Sequence, residues 1–130
     1  MRQLKFRVWE SRFKRWGRYP YAFTLDRNFN LAYTENSGTL REEDFIIQQF
    51  TGLKDSLGVE IYEGDIVSYH FDNPEVFWND LVAWGEAGWV FQNFDGTESG
   101  ESRACEYKHL RVVGNIFENR ELLDPAPKTL

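Results

Sequence analysis

The first alternation of apolar and polar positions comes in "QLKFRVWE", where Leu4, Phe6 and Val8 fall on one side and Lys5, Arg7 and Trp9 on the other. A period of two predicts a half-buried β-strand. "SRFKRWGRYP" holds Gly17 and Pro20 and reads as a hairpin or loop, and "YAFTLDRNFNLAY" as two short strands broken at Asp26–Asn30. "ENSG" at 35–38 has turn chemistry. Residues 39–50, "TLREEDFIIQQF", carry two signals. Thr39 with Glu42 fits a helix capping box, whereas "FIIQQF" is β-branched and aromatic like a strand. Whether 40–48 is helix or strand stays open; the preferred reading is an acidic turn of helix or loop, then a strand at about 45–50.

Gly52, Gly58 and Gly64 follow, six apart. Each is expected to turn the chain at positive φ, which other residues resist. Short extended pieces lie between and after them, "VEIY" and "DIVSYHF". "DNPEVFWND" reads as a loop around Pro74. "LVAW" and "WVFQNF" flank "GEAG" (85–88), a hairpin connection. "DGTESGES" is a polar loop, and "EYKHLRVVGNIFEN" the last long extended stretch, with a bulge or bend at Gly114. Asn119 is placed to cap one helical turn, "RELL", before Asp124–Pro125, leaving "PAPKTL" as a tail. The pattern predicts a mainly β protein, with α+β as the variant: a small SH3-like or half-open β-barrel behind an N-terminal strand and hairpin region. The expected division is 1–58 for the N-terminal region and glycine-rich segment, 59–123 for the barrel and 124–130 for the tail, all forming one compact unit.

Composition narrows the class. At 130 residues, 42% hydrophobic and 28% charged, the chain is long enough for one domain with a real core. It has no run of about 18 apolar residues, so no membrane span is expected. No apolar segment follows the charged "MRQLKFRVWE", so no signal peptide is expected either. A single cysteine, Cys105, excludes an internal disulfide, and the simplest location is the cytosol. Eleven Phe, six Tyr and five Trp favour pleated surfaces and leave rings for an interface with another chain.

Charge is uneven. Residues 1–20 hold seven basic groups against Glu10 alone, while the whole chain is at −6. Such a basic arm can serve nucleic acid or can meet an acidic protein surface; the long-range repulsion of phosphate by a net negative chain favours the second. The nucleic-acid alternative would use Arg12, Lys14, Arg15 and Arg18 for phosphates, with Phe13, Trp16, Tyr19 and Tyr21 for stacking.

Candidate chemistry is sparse. The glycine stretch lacks the Lys and Ser/Thr that follow the second glycine of a phosphate loop, and Asp55, Glu60, Glu63 and Asp65 would repel phosphate. Counted from Asp55, the third position of a calcium loop is Leu57, so the carboxylates read as turn residues. Cys105 and His109 lie four apart with only His70 besides, too few ligands for structural zinc. Cys105 with His109 or His70 has no flanking signature of a nucleophile and base, and a lone Cys reads as a small apolar residue. Asp95, Glu106 and Lys108 follow the order of a metal-dependent nuclease core, a short pattern that also arises by chance. The expectation is a protein with no enzymatic activity, no cofactor and no metal.

One stretch is more specific. "QFTGLKDSLGVEIYEGDIV", Gln49 through Val67, resembles the signature of the YopX family of small phage and prophage proteins: Q-Y/F-T-G-L-K-D, a short variable turn with a glycine, then E-I-Y-E-G-D-I-V. "KFRVWE" (5–10) is similar to the family's K-F-R-A-W-D, and "VVGNIFENRELL" (112–123) to its V-I-G-N-I-Y-E-N-P-E-L-L, with Arg120 in place of a proline that would stiffen the last turn. Residues 70–105 match only in general character. The resemblance implies a phage or prophage origin, action in the bacterial cytoplasm and self-association as a homo-oligomer, with an unknown phage or host protein as partner. It carries no activity and no catalytic residues. The signature residues Gly52, Lys54, Asp55, Gly58, Tyr62, Gly64 and Asp65 are read as turn and strand residues.

Overall fold

The computed structural model describes residues 4–17, 22–25, 27, 31–35, 38–39, 44–70, 73–92, 98–103, 109–123 and 128–129. The chain is mainly β, with a curled half-barrel sheet and a second antiparallel sheet, as the half-open barrel expectation requires. It divides into two compact units, Gln3–Gln49 and Phe50–Leu130.

In the first unit, β1 (Phe6–Glu10) lies between β2 (Arg15–Trp16) and β6 (Phe45–Lys54), all antiparallel, with Val8 opposite Ile47. The β1–β2 hairpin turns at Ser11–Lys14, earlier than Gly17, and Lys14 takes the positive φ of 51°. Both faces of β1 are used: Val8, Trp9 and Glu10 are all buried, while Leu4 is exposed. The strict in/out alternation therefore fails at Trp9, whose ring edge packs on Trp16 at 5.1 Å. β3 (Ala22–Leu25), β4 (Leu31–Glu35) and β5 (Gly38–Thr39) form a separate antiparallel sheet. β3 ends at Leu25 and β4 begins at Leu31, and Glu35 pairs with Gly38.

In the second unit, the Phe50–Lys54 half of β6 pairs with β7 (Glu60–Tyr62). The main sheet is built from β8 (Asp65–Tyr69), β9 (Val76–Gly85), β10 (Gly88–Gln92), β11 (Glu98–Arg103) and β12 (Arg111–Asn115), in the order β11-β10-β9-β8-β12. Ile61, Val67, Tyr69, Val82, Phe91 and Leu110 form its buried cluster, with Leu53, Trp78, Trp89 and Val112 packed against them. Gly85 and Gly88 face each other across the β9–β10 hairpin, as "GEAG" predicts.

Several expectations are corrected here. "DNPEVFWND" is not all loop: only Asn73–Glu75 turn, pinned by the Asn73 Oδ1 that accepts the Glu75 N–H, and Val76 already begins β9. The β-branched and aromatic run Val76-Phe77-Trp78 outweighs the polar neighbours, and Asp80 is kept in the strand by accepting the buried Tyr69 hydroxyl at 2.8 Å. β6 runs on to Lys54, so Gly52 sits at a bulge within a strand instead of a turn; its φ of 86° coincides with the register shift between Phe50 and Lys54. Asn119 does not cap the helical turn by its side chain. The turn is a three-residue 3-10 helix, Arg120–Leu122, and the Asn119 Oδ1 instead accepts the Asn115 N–H. Within the stretch read as a tail, Lys128–Thr129 form β13 and pair with Phe77 and Val76 of β9.

Candidate functional site

The signature segment is a knot of backbone anchors. Asp55 is buried, and its Oδ1 accepts the N–H groups of Leu57 and Val59, closing the β6–β7 loop on itself. Its Oδ2 accepts the Val112 N–H at 3.0 Å, latching that loop to β12. Ser56 adds two bonds to the Leu110 carbonyl, from its backbone N–H and from its hydroxyl. Burial alone pushes the Asp55 carboxyl upward, but the hydrogen bonds from Val112, Val59 and Leu57 and the charge of Arg111 outweigh it, holding the group below its ordinary 3.8. Gly58, at φ 83°, lets the loop turn back. Gly64, at φ 82°, donates its N–H to the Val82 carbonyl and accepts the Ile116 N–H. Asp65 accepts the Tyr62 N–H at 2.8 Å, and the half-buried Tyr62 ring packs on Phe50. Lys54 is exposed beside them. The Asp55 and Asp65 carboxylates are thus directed at backbone N–H groups. Among the described residues, no group of three or more His, Cys, Asp or Glu is placed to hold a metal ion.

The loop anchors frame an open groove of about 450 Å³ on the β8–β9–β12 sheet. Its chemistry comes from Ser56, Ser68, His70, His109 and Arg111, and its walls include Tyr69, Pro74, Phe77 and Val113. The chain's only two histidines meet here, their rings 4.8 Å apart and within 13° of parallel. The cause is register. Ser68 pairs with Arg111, and two further steps along the antiparallel ladder set His70 opposite His109. A bulge then shifts the register between Val112 and Gly114, and Val113 stands exposed at the groove wall. His109 has φ +58°, a left-handed conformation that strains a residue with a Cβ by about 1 kcal/mol or more.

The β1–β2 hairpin holds the described part of the basic-aromatic segment. Arg15 donates to the fully buried Glu10 carboxylate at 2.7 Å and lies over Phe13 at 4.7 Å. The Arg7 guanidinium covers the Trp16 ring at 4.3 Å and donates to Gln48. Arg12 and Lys14 are exposed at the tip. Arg18, Tyr19 and Tyr21 lie outside the described residues, as do Asp95, Cys105, Glu106 and Lys108. Sequence reading missed the groove. Its one available signal was that position 70 lies near the end of one expected extended stretch and 109 near the start of another, and only the β8–β12 pairing turns that into contact.

Fold and groove together define a small, mainly β protein with an open, ring-lined groove beside a latched loop. A family model described as YopX protein matches residues 5–124, and the chain belongs to the YopX family. Two solved structures share the fold. Protein EF1440 from Enterococcus faecalis is 24% identical with a TM-score of 0.62, the match covering 94% of this chain and 99% of that one. Protein yopX from Bacillus subtilis is 19% identical with a TM-score of 0.61, covering 95% and 100%. No curated protein matches the sequence. No helix among the described residues is long and apolar enough to cross a membrane.

Proposed function

We propose that the protein is a non-enzymatic accessory protein of a phage or prophage, acting in the bacterial cytoplasm by binding another protein and by self-association. The observation that carries this reading is the signature loop: Leu57 is 67% and Val59 47% exposed on a turn whose polar atoms are anchored inward by Asp55 and Ser56. A stiff loop that presents two apolar side chains loses little conformational entropy on docking, so their burial is available to binding. Trp84, 58% exposed, adds a ring of the type that anchors interfaces. The hairpin argues against nucleic acid as the main partner, because Arg15 is committed to Glu10 and one Trp16 face to Arg7. Light scattering across a concentration series tests the self-association. The expected result is a mass above that of one chain, reduced by the pair Leu57→Ser and Val59→Ser; a strict monomer at high concentration refutes it. A pull-down from infected cells, with and without nuclease, tests the protein partner: a captured protein that survives nuclease supports the reading, and capture lost on nuclease treatment overturns it.

A further inference from the structure

From the groove between β8, β9 and β12 we infer a ligand site for a phosphate monoester with a flat organic group, of the class of nucleoside monophosphates. The inference does not depend on the protein-binding reading.

The donors point to the phosphate. Arg111 supplies a guanidinium, Ser68 a hydroxyl, and His70 and His109 imidazoles, while the Ser56 hydroxyl is already donated to the Leu110 carbonyl; no carboxylate is among the described residues that line the groove. A phosphate accepts several hydrogen bonds at once, and Arg matches it bidentately. The walls point to the organic part. His70, Phe77 and His109 carry planar rings, and the volume is several times that of a bare phosphate, within the range of small-ligand sites. The imidazoles are already stacked, and His109 is exposed, so a third ring can extend the stack.

Two further observations favour this occupant over a metal ion. Imidazole lone pairs lie in the ring plane, and two rings within 13° of parallel do not aim them at one point. The strained φ of His109 holds its ring against His70, and such strain collects at ligand sites. Among the described residues, the charged neighbours are Asp55, which interacts with Arg111 but is directed at three backbone N–H groups, Asp80, which accepts the Tyr69 hydroxyl, and Glu75, exposed next to Pro74. The chain's −6 is screened beyond about 8 Å at physiological salt, so the groove's own donors decide.

The test uses the full chain and adenosine monophosphate at constant pH, followed by the two histidine ring C–H resonances in proton NMR. His109→Asn assigns them, since Asn tolerates the left-handed backbone. Both resonances are expected to shift and saturate, with inorganic phosphate and adenosine each binding at least about tenfold more weakly. Arg111→Gln, on an exposed strand position, should lower affinity by about 10- to 100-fold with an unchanged circular dichroism spectrum. Absence of any shift at about 10 mM nucleotide, a concentration that detects even millimolar binding, overturns the site. So does equal binding of adenosine, or an Arg111→Gln protein that is folded and binds as the parent does.

Discussion

Asp55 gives the most exposed test of the claim that the signature is architecture. Its carboxylate receives two N–H groups from its own loop and one from Val112 across to β12. In Asp55→Asn the amide keeps one acceptor oxygen. That oxygen satisfies Leu57 and Val59 best, which turns the new NH₂ toward the Val112 N–H, donor against donor. One bond to a charged acceptor is lost, about 1.5–3 kcal/mol. Asp55→Ala also loses the two bonds within the loop, whose exposed N–H groups water partly satisfies, for a total of about 3–5 kcal/mol. pH supplies a second axis. The folded carboxyl is held below its ordinary 3.8, so its stabilisation is complete above that value and is lost as pH falls through the folded value. Protonated Asp55 resembles Asn, so the gap between the parent and Asp55→Asn should narrow progressively as pH falls below 3.8. Urea unfolding followed by tryptophan fluorescence at pH 7, 5 and 3 measures this. An Asn variant as stable as the parent at pH 7, or a gap that persists unchanged at pH 3, refutes the latch.

Three further predictions rest on other contacts. Gly114→Ala places a Cβ 2.5 Å from the Asn119 Oδ1 and 2.7 Å from its Cβ and Cγ, so it should destabilise by about 1–3 kcal/mol in thermal melts, and pairing it with Asn119→Ala should recover little, because the Asn119 Cβ remains. At Gly58 nothing lies within 4 Å of an added Cβ, so only the φ of 83° resists: Ala should cost about 1–2 kcal/mol and Asn clearly less, read in the same urea series. Serine at Arg12, Lys14, Arg15 and Arg18 should leave low-salt oligonucleotide retention at background, equal to the parent; retention by the parent that the variant loses would revive a nucleic-acid role for the hairpin.

Much of the fold was legible because its signals are local. The β9–β10 hairpin, the bulge at Gly114 and positive φ at Gly52, Gly58 and Gly64 follow from alternation and glycine chemistry. Errors arose where a distant partner overrides the local signal. Val76–Asp80 follow the polar turn Asn73–Glu75 and end in Asn79 and Asp80, but β8 and β13 pair with them. Asn119 has the chemistry of a helix cap, yet the Asn115 N–H takes its oxygen. The turn role of Asp55 and Gly58 could be read from spacing, whereas the bond from Val112 to Asp55 could not, since it joins residues 57 positions apart. The same holds for His70 and His109, which become neighbours only through the β8–β12 register.

That separation of 57 positions has a kinetic corollary. The β8–β9 and β9–β10 ladders join strands close in sequence, and their short chain closures can form early. β12 must wait for the longer closure before Asp55 can grip it, which puts the grip on the native side of the folding barrier. Substitution at Asp55 should therefore leave the refolding limb of a chevron nearly unchanged and accelerate the unfolding limb. The carboxylate acts as a brake on opening, and it governs how long the assembled sheet persists more than how fast it is made.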